Sequence, residues 1–230
     1  MFAKLLQLPH DFLELIYPAL CLICEKAETS RRTHLLCEKC LREIETRPLP
    51  AAAAAGELSS GNLDELHAGW SFDDAMQAVI HAFKYRRCSS LSRVFGAMLA
   101  QRLQNDLARE MQQAVLVPVP LHRRRGRERG FNQSILLAQT LAEVWKMKIL
   151  PRALERTRFT QPQATLTAAE RQKNVAGAFA AAGKPNLQNQ TIFLVDDVFT
   201  TGATMNACAT ALKAAGAGNV VGVVLARAGH

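Results

Sequence analysis

Hydrophobic positions along the 230-residue chain fall into two periodicities, and their alternation predicts the architecture. Continuous apolar runs stand from Ala114 to Val119, from Ile192 to Val195 and from Val220 to Leu225. Uninterrupted runs of this length mark strands buried on both faces, as in a parallel sheet. Elsewhere apolar residues recur at helical spacing. Phe72, Met76, Val79, Ile80 and Phe83 form one such stripe. Further helices are predicted from about Leu91 to Met111, from Ser134 to Val144 with Asn132 as its cap, and, rich in alanine, up to about Gly216. Strand, helix and strand between Ile192 and Leu225 make a βαβ unit, with its first loop at the ligand-binding edge of the sheet. The expected fold class is therefore α/β, a mostly parallel sheet flanked by helices.

Upstream the pattern changes. A short helical segment from Leu5 to Tyr17 is ended by Pro18, and two C-x2-C pairs follow, Cys21 with Cys24 and Cys37 with Cys40, twelve residues apart. Two such knuckles place four thiolates around one tetrahedral centre, the geometry of a structural Zn²⁺ site. The rival readings are disulfides, disfavoured in a reducing compartment, and four unrelated thiols. His34 is a substitute ligand for which four cysteines leave no necessary place, and Cys88 and Cys208 read as packing residues. A segment this short has too little core to fold alone, so the metal would supply much of its stability. From Arg47 to Gly69 the chain turns to proline, five consecutive alanines, glycine and serine, the composition of a linker. The expected division is residues 1–46, helix and zinc module; 47–69, linker; and 70–230, main domain.

Composition narrows the classes. At 49% hydrophobic and 21% charged the chain can bury one good core and a small appendage. It lacks a run of about 18 apolar residues, so no transmembrane helix is expected. Asp11 and Glu14 interrupt the apolar N-terminus and no small-residue cleavage site follows, which predicts a cytoplasmic protein. A net charge of +8 favours anionic partners. Walker A and G-x-G-x-x-G patterns are absent, which argues against NTPase and dinucleotide roles.

The chemistry concentrates in TIFLVDDVFTTGAT, Thr191 to Thr204. Asp196 and Asp197 stand where the strand should emerge, followed by the loop Thr200, Thr201, Gly202, Ala203 and Thr204. Helix N-terminal amides that Gly202 leaves uncrowded form an anion site, and the threonine hydroxyls add donors. Two carboxylates upstream would repel a bare polyphosphate; vicinal hydroxyls or a ligand-borne Mg²⁺ suit them. Together they call for a ribose phosphate. The bland alternative is an ordinary strand-to-helix turn with capping aspartates. A second polyanion site is expected after the strand at 114–119, where Arg123, Arg124, Arg125, Arg127 and Arg129 crowd one loop against Glu128. The alternative there is a solvated, mobile charge run. Lys84 to Arg87 forms a further basic tip.

VDDVFTTGAT resembles the phosphoribosyl-pyrophosphate (PRPP) motif of type I phosphoribosyltransferases. The resemblance implies that Asp196 and Asp197 hold the ribose hydroxyls and that Thr200 to Thr204 hold the 5′-phosphate. Purine enzymes of that class carry a third Asp where this chain has Thr200, which weakens a purine-salvage reading. The four cysteines, FKY at Phe83 to Tyr85, VPVPLHRRR…RGFNQ, and the block with Arg156, Thr157, Gln161, Leu166, Arg171, Asn174 and Gly177 to Phe179 extend the likeness. In this order they resemble the ComF family, bacterial proteins linked to natural competence and DNA uptake, whose GntX branch carries a gluconate-utilisation label. Two departures stand out: FKY runs into Arg86-Arg87, where many relatives have a nearby glycine, and residues 47–69 are unusually rich in alanine.

The resemblance implies a zinc module fused to a phosphoribosyltransferase-type domain that binds PRPP with Mg²⁺, the basic loop taking the pyrophosphate. If the domain turns over, charge develops at C1 and positioning and electrostatics supply the acceleration; no residue presents itself as the general base, and His122 is the nearest candidate. The competing reading is a non-catalytic module for PRPP or single-stranded DNA, working with DNA-uptake or recombination proteins. The scarcity of exposed aromatics for base stacking counts against tight single-strand binding.

Overall fold

The computed structural model describes residues 20–26, 28–31, 33, 35–47, 49, 61–85, 90–160, 167–183 and 186–229. The helix expected at Leu5–Tyr17, the alanine run, His34, Arg86, Arg87, Cys88, Gln161 and Leu166 lie outside the described residues. The chain divides into two compact units, Met1–Arg47 and Pro48–His230.

In the larger unit the apolar runs form strands because no residue in them has a polar side to show to water. β1 is Glu65–Ser71, β2 Ala114–Pro118, β5 Thr191–Phe199 and β6 Val220–Arg227. Ile192 to Val195 and Val220, Val221, Val223 and Val224 have no solvent exposure, as expected of parallel strands covered on both faces. The order is β1-β6-β5-β2, every neighbouring pair parallel. Ile149 adds an isolated parallel bridge to Leu116 on β2. A separate antiparallel pair joins β3 (Leu154–Arg156) to β4 (Phe179–Ala181).

Helices cover the sheet: α2 Asp74–Tyr85, α3 Ser90–Leu103, α4 Arg123–Arg129, α5 Gln133–Trp145, α6 Ala168–Val175 and α7 Ala203–Ala214. Asn132 caps α5 as expected, its Oδ1 accepting from the Ser134 amide at 3.0 Å, while its Nδ2 donates to the Val119 carbonyl at 3.0 Å. Thr167 and Glu170 form a capping box at α6, so Glu170 closes a helix end. The block containing Arg156 and Arg171 carries β3, α6 and β4.

Three local expectations differ from the fold. Glu65 to Gly69 lie in the stretch assigned to the linker yet form most of β1, which pairs with β6; the alternation of Leu66, Ala68 and Trp70 with Glu65, His67, Gly69 and Ser71 is a strand pattern that the surrounding glycine and serine obscured. The helix expected through Met111 stops at Leu103, shortly before the poor helix formers Asn105 and Asp106. The arginine-rich loop is helix α4, with the His122 Nδ1 accepting from the Arg124 amide at 3.2 Å and Gly130 closing it at φ 82°.

Chain order locates the site. From β2 the sheet is next extended outward to Ile149, whereas from β5 the chain crosses through α7 to β6 on the other side. The path diverges between β2 and β5, and the crevice beyond their carboxyl ends is where open parallel sheets bind ligands. In the smaller unit, Leu20 and Glu28 bridge a cysteine-bearing turn, and α1 (Glu38–Thr46) buries Cys40, Leu41 and Ile44.

Candidate functional site

The crevice between the ends of β2 and β5 opens into a cavity of about 730 Å³, within the range of small-molecule sites. Its floor is the acid pair. β5 extends to Phe199, so Asp196 and Asp197 lie inside the strand, Asp196 opposite Val224. Successive strand residues point to opposite faces, and the two acids accordingly find partners on different helices. Asp196 Oδ1 accepts from Ser134 Oγ on α5 at 2.9 Å and from the Asp197 amide at 2.9 Å. Asp197, 5% exposed, meets Lys84 Nζ of α2 at 3.0 Å. Burial first, and then the neighbouring Asp197 charge, push the Asp196 carboxyl from 3.8 up to about 7, against the pull of Lys84 and its two hydrogen bonds.

Above the acids, Thr200, Gly202, Ala203 and Thr204 line the cavity. Gly202 is the N-cap of α7 at φ 74° and offers no side chain to its first-turn amides, the arrangement that leaves a helix N-terminus ready for an anion. Only glycine fits there: a Cβ would meet the Phe199 ring at 2.6 Å. Thr201 is not among the cavity-lining residues, and its buried Oγ1 has no partner.

Helical geometry divides the five arginines. Arg125 and Arg129, one turn apart on α4, line the cavity; Arg123, Arg124 and Arg127 do not. Arg124 pairs with Glu128 at 3.1 Å and lies 5.0 Å over the Phe159 ring. His122 caps α4 and sets its ring edge against Phe159 at 5.2 Å, and it too is absent from the lining. Phe159 is an exposed aromatic, at 42%, that the sequence did not reveal as such.

Six polar residues not assigned to a site from the sequence also line the cavity: Gln77 of α2, Glu128 of α4 and the four that follow. Arg171, from α6, donates to Thr200 Oγ1 at 3.3 Å. Arg156, from β3, has a buried Nε without a partner and lies 5.2 Å over the Phe179 ring; burial, and next Arg125, lower its pKa. Gln133, 1% exposed, accepts from Arg129 at 3.3 Å while its buried Nε2 has no partner. Lys84, read from the sequence as part of a basic tip, pairs with Asp197. Arg156 and Arg171 had appeared in a recognisable block, but nothing in their spacing placed them beside the acids. Orphaned donors at Arg156 and Gln133 and cations on α2, α4, β3 and α6 suit a ligand rich in oxygen acceptors.

In the smaller unit the ligand atoms of Cys21, Cys24, Cys37 and Cys40 all lie within 4.8 Å of one another. Cys24 and Cys37 sulfurs are 3.9 Å apart, close to the edge of about 3.8 Å that a tetrahedron of Zn–S bonds near 2.3 Å requires. Burial resists ionisation of Cys21, but hydrogen bonds from Cys24, Cys37 and Ile23 prevail and bring its thiol down to about 6. The cluster could hold a zinc ion. No described helix is long and apolar enough to cross a membrane.

Residues 132–230 match the phosphoribosyl transferase domain family model. Over nearly its full length the chain is similar to competence protein F of Haemophilus influenzae, 28% identical over 209 residues, covering 84% of this chain and 90% of that protein. It is similar also to DNA utilization protein YhgH of Escherichia coli strain K12, 30% identical over 210 residues and covering 87% of each. Competence protein ComFC of Bacillus subtilis is 26% identical over 143 residues, covering 62% of this chain and 55% of that protein.

Proposed function

This chain belongs to the ComF family of competence and DNA-utilisation proteins, and from that premise we propose that its crevice binds PRPP with Mg²⁺ in the service of DNA uptake or utilisation. The observation that carries the reading is the placing of two carboxylates on β5 directly beneath the uncapped N-terminus of α7, with arginines across the crevice. A diol, a terminal phosphate and a pyrophosphate each find a complementary group there.

Asp196 and Asp197 take the ribose 2′- and 3′-hydroxyls. The α7 amides, with Thr200 and Thr204, take the 5′-phosphate; Thr201 would serve through its backbone, since its hydroxyl lies off the cavity wall. Arg125 and Arg129 face the pyrophosphate, with Arg156 behind them, and Arg171 reaches the loop through Thr200. Arg123, Arg124 and Arg127 act at longer range on the field at the rim. The carboxylates also suit a hard cation with oxygen ligands, and Mg²⁺ arriving on the ligand would neutralise the pyrophosphate charge. Any chemistry at C1 would draw on this positioning and on the fixed cations. His122, which serves as a cap beside Phe159, is given no catalytic step.

The four cysteines hold a structural Zn²⁺ in the proposed protein, and reduced thiolates suit a cytoplasmic setting. A second reading, single-stranded DNA at the rim, is favoured by exposed Phe159 beside Arg124 and His122.

Calorimetric titration of the zinc-loaded protein with PRPP and Mg²⁺ tests the first reading. Micromolar binding that Asp196→Asn/Asp197→Asn abolishes supports it and justifies a screen for pyrophosphate release with candidate acceptors. Absence of binding by the parent, with salt-sensitive binding of an oligonucleotide in its place, would transfer the function to the second reading.

A further inference from the structure

Asp197 has two claimants. In the proposed function it holds a ribose hydroxyl, yet in the free protein Lys84 already occupies it at 3.0 Å. The pairing is built into the fold. Lys84 sits in the last turn of α2, where the helix dipole favours a cation. The adjacent Phe83, 1% exposed, packs against Phe131 at 6.1 Å and fixes that end of the helix beside the segment following α4. Lys84 therefore lines the cavity. Its side chain is 22% exposed and that of Asp197 is 7% exposed. A carboxylate this buried needs a countercharge, and a lysine this open, on a flexible stem, can exchange partners.

We propose that Lys84 is an exchangeable counter-ion that makes the cleft select PRPP over ribose 5-phosphate. It neutralises Asp197 in the empty cleft. When the ribose hydroxyls or the ligand's cation take that carboxylate, the ammonium passes to the phosphate oxygens on the C1 side of the ribose. No charge is left buried without a partner at either stage. A ligand lacking the pyrophosphate displaces Lys84 and gives it nothing in return, so it binds weakly. The inference rests on the ribose-phosphate reading of the crevice and assigns Lys84 a ligand-binding, specificity-determining role.

The test compares the parent with Lys84→Met and Lys84→Arg, using calorimetry with PRPP plus Mg²⁺ and with ribose 5-phosphate plus Mg²⁺. Electron paramagnetic resonance of Mn²⁺ with the ligand-free protein supplies a readout independent of ligand and turnover. Loss of the ammonium–phosphate contact should weaken PRPP about tenfold in Lys84→Met. Ribose 5-phosphate should hold its affinity or gain, so the ratio of the two collapses, and Lys84→Arg should keep the ratio. Mn²⁺ should bind the Met variant at least about fivefold more tightly, because Asp197 is no longer neutralised. An unchanged ratio, or equal loss for both ligands, would overturn the proposal. If the parent binds neither sugar phosphate, the ribose-phosphate reading fails by itself. Tighter Mn²⁺ in the variant would then still support the counter-ion half of the inference, and unchanged Mn²⁺ would remove that half too. Lys84→Gln replaces the Met variant should the latter fail to fold.

Discussion

Asp196 carries two electrostatic penalties, burial and a like charge next door, and they raise its carboxyl from 3.8 to about 7. A carboxyl whose pKa is raised by folding is tolerated while protonated and becomes a burden once ionised. Its contribution is therefore intact below about pH 4 and is lost as pH rises toward and through about 7. The full difference amounts to about 4 kcal/mol near pH 8. Local relaxation and water at this half-buried group reduce the amount recoverable to about 2 kcal/mol. Replacing Asp196 by Asn removes the charge and keeps an oxygen that can accept from Ser134 Oγ and the Asp197 amide. The ligand-free variant should thus melt about 4–8 °C above the parent near pH 8, for a chain of this size. Near pH 4.5 the parent's Asp196 is already protonated and the gain should shrink to within about 1 kcal/mol. Scanning calorimetry at the two pH values, without ligand, measures both. A variant no more stable than the parent near pH 8, or equally stabilised at both pH values, would refute the argument. PRPP affinity should fall in the same variant, as expected where a site keeps charge at the expense of stability; in the parent it should strengthen as pH rises through about 7.

Gly202→Ala forces a Cβ into the Phe199 ring at a positive φ, at a cost of about 2–4 kcal/mol, with loss of PRPP binding; urea denaturation and calorimetry read the two effects. Asn132→Ala removes the α5 cap and the tie to Val119, and the urea midpoint should report a loss of about 1–2 kcal/mol. Stripping the metal with a chelator, or Cys37→Ser, should abolish a stoichiometric zinc signal in elemental analysis and cut helical circular dichroism from α1; a metal-free protein with unchanged spectra would contradict a structural zinc.

What was legible in the sequence rested on local, repetitive physics. Continuous apolar runs announced β2, β5 and β6, because a strand covered on both faces has no polar positions to interrupt it. Asn132 was recognisable as a cap, and the four cysteines by their spacing, since both devices act over a few residues. Asp196, Asp197 and the Thr200–Thr204 loop were recognisable because one strand end and one helix start carry them together. β1 was hidden because an edge strand flanked by glycine and serine presents a weak, half-polar pattern. The five arginines could be counted but not sorted: whether a charge run is a loop or a helix decides which of its members face a cavity, and α4 turns Arg125 and Arg129 inward.

The remaining cleft residues come from distant parts of the chain. Lys84 and Asp197 are separated by more than a hundred positions, as are Arg129 and Arg171 by some forty, and no periodicity links them. By itself, then, the sequence determined the α/β class, the crossover that carries the acid pair and the helix N-terminus, and the thiol ligand set. Tertiary structure alone decided which cations face those acids, and that Lys84 is one of them. The physical reason is that strand and helix formation depend on neighbours along the chain, whereas the pairing of buried charges depends on which elements the sheet order brings to one crevice.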